Sequence, residues 1–363
     1  MSNLAFLHGG NIYEAKRKYG EGVIDFSANI NPLGLPPKVK KAIYKNLDRI
    51  LHYPDPKARS IIQKIAKYWG INEQNILLGN GCVELIYLIM SAYRPKTSLI
   101  PAPTFSEYER AAKSVKSKIQ FLKLKEKDDF RLNLSHFSQI GKADILFLCN
   151  PNNPTGNLIL EDYRAIERLS NKSNSCAQGT GKLLVVDEAF MDFLPNEKNH
   201  TLIWRAIENR NMIVLRTFTK FFCLPGLRIG YLIAHKEIIN KLNRHRPPWN
   251  TNTFAQIAAE LILNDKEYIK NTYRAIKEER EFLSGELAKI NGLRFYPSVT
   301  NFLLIKIGDK DITSSVLVKK LIKRKILIRD CSNFRGLNNK FIRIAVRSHK
   351  ENLKLIATLK EVL

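Results

Sequence analysis

Lys220 ends the string Arg216-Thr217-Phe218-Thr219-Lys220, and Arg228 follows in Gly226-Leu227-Arg228-Ile229-Gly230. A lysine attacks a carbonyl only after losing its proton, and burial beside other cations lowers its pKa far enough for that. Hydroxyls before the lysine and an arginine after it can hold a phosphate. The arrangement suits a Schiff base between the Lys220 amine and the aldehyde of pyridoxal phosphate (PLP), with Thr217, Thr219 and Arg228 on the phosphate. A surface lysine is the plain alternative, since lysines are numerous in this chain. Other segments decide between them.

Gly79-Asn80-Gly81-Cys82-Val83 follows an apolar run and opens a helical one. Glycines there let backbone approach a phosphate, and a helix N-terminus offers unpaired N–H groups. Such turns are also common without a ligand. Asn150-Pro151-Asn152-Asn153-Pro154-Thr155-Gly156 follows the run ending at Cys149. It could be a capping turn, yet the Asn153 amide could also donate to the phenolic oxygen of PLP. Leu184-Val185-Val186-Asp187 places a carboxylate at the end of an apolar strand. Besides capping a turn, it could keep a pyridine nitrogen protonated, which makes the ring an electron sink.

In their order along the chain, the four segments resemble fold-type I PLP enzymes of the aspartate-aminotransferase superfamily, over nearly the whole chain. The resemblance implies an α/β fold with a large, mostly parallel-sheet domain and a smaller α+β domain. It implies Lys220 as the Schiff-base lysine, Asp187 on the pyridine nitrogen and Asn153 on the ring oxygen. Gly81, Cys82, Thr217, Thr219 and Arg228 would hold the phosphate, and Phe105 would stack on the ring. Arg343, in Phe341-Ile342-Arg343-Ile344-Ala345, would grip the substrate carboxylate with both arms of its guanidinium. Tyr53 would reach a neighbouring subunit's site, which implies a homodimer. Phe190 departs from the pattern: many members carry a tyrosine there, and phenylalanine removes a donor to the ring oxygen.

Two groups within the superfamily handle phosphorylated substrates, the histidinol-phosphate aminotransferases and the threonine-phosphate decarboxylases. His8-Gly9-Gly10-Asn11, Asp25-Phe26-Ser27-Ala28-Asn29-Ile30-Asn31-Pro32, Ile328-Arg329-Asp330-Cys331-Ser332-Asn333-Phe334, Phe190 and the pair Arg343 and Arg347 resemble the decarboxylases. That resemblance implies loss of carbon dioxide from O-phospho-L-threonine, with O-phospho-L-serine one methyl smaller. Grip on both ends of the substrate would select the bond at Cα that breaks. The distal phosphate would fall to Arg329, with His8, Asn31 and Tyr53 as further donors. A salt bridge at a strand end for Arg329 and a surface position for His8 are the bland alternatives.

These residues need a frame to hold them. Short apolar runs at Asn75–Gly79, Ser98–Pro101, Asp144–Cys149, Leu183–Asp187, Met212–Arg216 and Ile229–Ala234 read as buried strands of a mostly parallel sheet. Helical periodicity marks Pro37–Ile50, with Val39, Ala42, Ile43, Leu47 and Ile50 on one face, and also Val83–Ala92 and Leu160–Leu169. Asn171–Gly181 reads as a surface loop. After Trp249 the pattern changes to a long helical stretch, Thr253–Ile290. Strands near Thr300–Ile305, Ile326–Arg329 and Phe341–Ala345 follow, then a helix over Lys350–Leu363. The organisation expected is an arm over residues 1–40, a PLP-binding domain over 41–248 and a small domain over 249–363.

Composition sets the outer limits. The chain has 363 residues, 44% of them hydrophobic, enough for a sizeable core. Met1–Gly10 lacks the features of a signal peptide, and the apolar stretch Val83–Met90 is too short to span a bilayer. Cys82, Cys149, Cys176, Cys223 and Cys331 form no CxxC pair, which points to a reducing, cytoplasmic setting and away from a zinc site or any other metal. A net charge of +25 raises nucleic acid as a partner. The basic residues are spread out, though, and no run interleaves with aromatics. A PLP-fold transcription regulator would carry DNA-binding helices ahead of the PLP domain, and this chain leaves no room for them. No nucleic-acid or membrane partner is expected.

Overall fold

The structure, a computed structural model, describes residues 8–133, 143–160 and 182–363. Thirteen strands are seen among them: β1 (Ile24–Asp25), β2 (Ile76–Gly79), β3 (Thr97–Ala102), β4 (Lys118–Lys123), β5 (Ile145–Cys149), β6 (Leu183–Asp187), β7 (Met212–Thr217), β8 (Gly230–Ile233), β9 (Leu293–Phe295), β10 (Phe302–Ile307), β11 (Ile326–Leu327), β12 (Arg329–Asp330) and β13 (Phe341–Ala345). Seven form one sheet in the order β2-β8-β7-β6-β5-β3-β4. β8 alone runs antiparallel to its neighbours. The expected mostly parallel α/β sheet is what the structure shows.

The central strands are buried along their whole length, β5, β6 and β7 without exception. Side chains alternate between two cores, one on each sheet face. Leu184, Val186, Met212 and Val214 enter the first, and Leu183, Val185, Ile213 and Leu215 enter the second. A strand buried on both faces reads as a continuous apolar run, which is why these were visible in the sequence. β4 was not. Its sequence Lys-Ile-Gln-Phe-Leu-Lys begins and ends exposed, as suits a charged strand at a sheet edge.

The helix expected over Pro37–Ile50 stops early. It spans Pro37–Lys45 and gives way to a tighter 3₁₀ turn, Leu47–Leu51. Asn46 donates its side-chain amide to the Ala42 carbonyl, a local bond that competes with helix continuation. Leu47 and Ile50 therefore leave the buried face and stand exposed. Val83–Ala92 lies inside the helix Cys82–Tyr93. The helix at Leu160–Leu169, past its first residue, and the loop at Asn171–Gly181 fall outside the described residues.

A second sheet, in the order β12-β13-β10-β9, follows the helices Thr253–Ile262 and Lys266–Ala288. The last helix, His349–Val362, opens with a reciprocal cap between Ser348 and Glu351. The start of the chain joins this half: β1 pairs in parallel with β11, and the Phe26 carbonyl accepts the Ala345 N–H at 2.8 Å. No helix among the described residues is long and apolar enough to cross a membrane.

Candidate active site

The carboxyl ends of β5, β6 and β7 open onto a cavity of about 460 Å³, closed on its far side by residues 8–9, 27–29, Arg329, Phe334 and Arg343. Open α/β sheets gather ligands at this end of their strands. Asp187, the last residue of β6, is almost wholly buried. Its Oδ2 accepts the Tyr108 hydroxyl at 2.7 Å and its Oδ1 accepts the Ala189 N–H at 3.0 Å. Burial raises its pKa, while Tyr108, the Ala189 N–H and the Lys220 charge oppose the rise.

Lys220 projects into the same cavity from the turn after β7. Burial first, then the positive fields of Arg343 and Arg228, push its pKa down to about 8, with Cys82 and Asp187 pulling the other way. A neutral amine is thus accessible near physiological pH, as a nucleophile requires.

Beside the lysine lies a cradle for a phosphate. Gly81 has φ +81°, and a Cβ there would sit 2.7 Å from Arg228 Nη2. A Cβ on Gly230 would come within 2.9 Å of the Cys82 nitrogen. The helix Cys82–Tyr93 starts here, and no side chain caps it. Its first N–H groups thus face the cavity end together with the hydroxyls of Thr217 and Thr219, which bond each other at 2.8 Å. The Cys82 thiol is spent on the Arg216 carbonyl at 3.1 Å, so this residue has its backbone N–H to offer. Uncapped N–H groups, two hydroxyls and a guanidinium fit the phosphate of PLP.

Arg343 is fully buried in β13. Its Nη2 donates to the Ser27 carbonyl at 2.8 Å and its Nη1 to Asn153 Oδ1, and its Nε has no partner among the described residues. Its guanidinium lies 5.2 Å from the Phe302 ring centroid. Arg329 stands directly opposite it in the antiparallel pair of β12 and β13. That guanidinium donates to Asn333 Oδ1 at 2.8 Å and to the Asp330 carbonyl. Phe105 and Phe190 line the cavity, the latter packed edge-on to Phe302.

Two expected substrate residues lie elsewhere. Asn31 is buried away from the cavity: its amide donates to the Phe221 carbonyl at 2.7 Å and Thr272 Oγ1 at 2.8 Å. Its backbone N–H donates to the Lys220 carbonyl, so it braces the lysine's turn. Asn29, two residues earlier, lines the cavity instead, with its buried Oδ1 unpartnered. Tyr53 is 79% exposed, stacked on Trp249 at 4.7 Å and clear of this chain's cavity. His8 does reach the mouth. Sequence reasoning missed Asn29, Tyr108, Glu107 and Arg110. The last three lie within five residues of Phe105 in the sequence. Ser27 contributes a backbone carbonyl, which leaves no mark in the sequence.

A deprotonatable lysine, a carboxylate at a strand end and an uncapped helix start with hydroxyls and arginine define a PLP-dependent enzyme of fold type I. When bound, PLP supplies an electron sink for a bond broken at the substrate Cα. The chain belongs to the aminotransferase class I and II family, whose model matches residues 21–359. It is 36% identical to the threonine-phosphate decarboxylase of Salmonella typhimurium, over 98% of this chain and 96% of that one. A Caldanaerobacter subterraneus protein, provisionally named for the same activity, is 40% identical over 98% of this chain and 93% of its own. Among solved structures, the histidinol-phosphate aminotransferase of Clostridium acetobutylicum is 32% identical, with a TM-score of 0.83, over 93% of this chain and 98% of that one. The L-threonine-O-3-phosphate decarboxylase of Porphyromonas gingivalis is 29% identical, with a TM-score of 0.79 and the same coverage.

Proposed function

We propose that this chain is a PLP-dependent carboxy-lyase that converts O-phospho-L-threonine to (R)-1-amino-2-propanol O-2-phosphate and carbon dioxide in cobalamin biosynthesis. The observation that carries the substrate class is the pair Arg329 and Arg343. Like charges directly opposite across two strands destabilise a sheet. A substrate with a carboxylate near one end and a phosphate at the other neutralises both. The decarboxylase relatives, together spanning nearly all of this chain, support the reaction.

In this reading Arg343 grips the carboxylate, and Arg329, His8 and Asn29 face the phosphate. Lys220 Nζ carries the proton delivered to Cα. Asp187 holds the pyridine nitrogen, Asn153 the ring oxygen and Phe105 the ring face. The phosphate of PLP takes the first N–H groups after Gly81, Thr217, Thr219 and Arg228. O-phospho-L-serine is one methyl smaller, a difference worth about 1–3 kcal/mol in an apolar pocket, so both substrates are expected to turn over. The seven-stranded sheet supports a PLP domain over 41–248. The four-stranded sheet supports a small domain over 249–363, with the first forty residues as an arm on it.

The reading includes a homodimer with shared sites. Tyr44, Leu47, Ile50, Leu51, Tyr53 and Trp249 are exposed, more apolar surface than a monomer usually shows in neighbouring segments. Light scattering is expected to give twice the chain mass of 41.7 kDa, and a monomer would remove the shared site. It also includes the cytoplasm. Cys82, Cys149, Cys223 and Cys331 are free, and recovery of these thiols in oxidised form from freshly quenched cells would contradict that setting.

The deciding experiment incubates PLP-loaded protein with O-phospho-L-threonine and no 2-oxo acid. Many equivalents of carbon dioxide and amine per enzyme are expected. Amino transfer from histidinol phosphate to 2-oxoglutarate without such release would move the assignment to the aminotransferases.

A further inference from the structure

Among the described residues two carboxylates line the cavity, Asp187 and Glu107. Asp187 faces the cofactor end. Glu107 stands at the mouth, where a free carboxylate would repel a phosphorylated ligand. The structure covers it. Its side chain is 4% exposed, its Oε1 meets His8 Nε2 at 2.6 Å and Arg110 Nη1 at 2.7 Å, and its Oε2 accepts the Tyr87 hydroxyl at 3.4 Å. Burial alone would raise its pKa, but the bonds from His8 and Arg110 outweigh that and hold it below the usual carboxylate range.

The partners come from distant parts of the chain. Arg110 lies one turn along the helix Glu107–Ser114, whereas His8 comes from the start of the chain, 99 residues away. His8 also rests near Phe105, ring centroids 5.6 Å apart. The residues after it are pinned as well. The Gly10 N–H donates to Ser27 Oγ at 2.8 Å, and a Cβ on Gly9 would collide with the Ser27 carbonyl. One buried carboxylate thereby holds an imidazole and a guanidinium, each about 40% exposed, with their outer edges toward the mouth.

We propose that Glu107 is a positioning residue: it latches the arm over the cavity through His8 and aims His8 and Arg110 together at the substrate's distal phosphate. The assignment rests on the phospho-amino-acid reading above. It gives Arg110 a binding role of its own and opposes the simple electrostatic expectation, in which removing an acid from an anion site strengthens binding.

The test titrates inorganic phosphate, followed by the cofactor absorbance, into PLP-loaded wild type, Glu107→Gln, His8→Gln and Arg110→Gln. It also measures kcat and KM with O-phospho-L-threonine and L-threonine. Each variant is expected to bind phosphate about tenfold more weakly, the scale of one charge-assisted hydrogen bond. The loss should fall on KM, and the preference for phosphorylated over unphosphorylated substrate should shrink with it. Glu107→Gln should add little to a variant that already carries both His8→Gln and Arg110→Gln, since it acts through those two side chains. His8 is half-exposed, so its variant reports even if Glu107→Gln folds poorly. Tighter phosphate binding in Glu107→Gln would overturn the proposal, as would equal losses on both substrates. Absence of wild-type decarboxylation would count against the decarboxylase reading alone, because the phosphate titration still decides the role of Glu107.

Discussion

Lys220→Ala lowers turnover by about 10⁴-fold or more, the scale seen when a covalent catalyst's nucleophile is removed. Cofactor affinity falls far less. The uncapped start of the helix Cys82–Tyr93, Thr217, Thr219 and Asp187 remain to hold PLP. The variant should therefore show the absorbance of a free aldehyde. Retained multiple turnover would refute the role of Lys220. A pH effect accompanies it. With the amine titrating at about 8, the rate at which PLP attaches to apoprotein should rise with pH and level off above 8. The folded pKa is below the unfolded one, so the folded state gives up its proton first. Apoprotein stability from this group therefore rises between about pH 8 and 10.5 and is penalised in full below 8. Lys220→Ala removes that dependence, and denaturant midpoints across this window will read it.

Arg216→Met costs about 3–5 kcal/mol of stability, the range for stripping the partner from buried charges. Arg216 and Thr217 are consecutive in β7, so Thr217 points to the cavity and Arg216 to the opposite core. There its fully buried guanidinium meets Glu188 at 3.0 Å, Asp192 at 2.8 Å and Glu197, with the Trp69 ring centroid 4.9 Å away. Three carboxylates against one guanidinium cannot all ionise cheaply. Burial, with repulsion from Glu197 and Glu188, outweighs Arg216 and raises the Asp192 pKa to about 7. The folded protein thus keeps a proton that the unfolded chain releases near 3.8. Stability from this group falls as pH rises from about 4 to 7. Urea unfolding of Asp192→Asn should lack that slope. Arg216→Met should lose less at pH 5 than at pH 8. Equal losses at the two pH values would refute the shared proton.

The site was legible where a functional side chain ends an apolar strand. Asp187 closes β6, Thr217 closes β7 and Arg343 sits within β13, so burial pattern and chemistry pointed to the same positions. It was less legible where a side chain turns on local backbone geometry. Asn29 and Asn31 look equivalent in Ser-Ala-Asn-Ile-Asn-Pro, but Asn31 bonds into the core beneath Lys220 and Asn29 meets the cavity. Leu47 and Ile50 fit a helical face only if the helix continues, and the Asn46 amide stops it. β4 hid because an edge strand with lysine at both ends carries no continuous apolar run. Tyr108 and Glu107 were invisible as site residues because their partners lie 79 and 99 residues away.

The grip on Arg343 also has a consequence for the order of assembly. Its anchor, the Ser27 carbonyl, lies 316 residues earlier in the chain. Ile24 and Asp25 pair with Ile326 and Leu327, and Phe26 receives the Ala345 N–H. A ribosome makes the first of these partners near the start of synthesis and the second near the end. The strands that carry Asp187 and Thr217 and the turn that carries Lys220 emerge well before residue 326. The residues proposed to hold PLP are therefore all synthesised before Arg329 and Arg343, the pair proposed to meet the substrate.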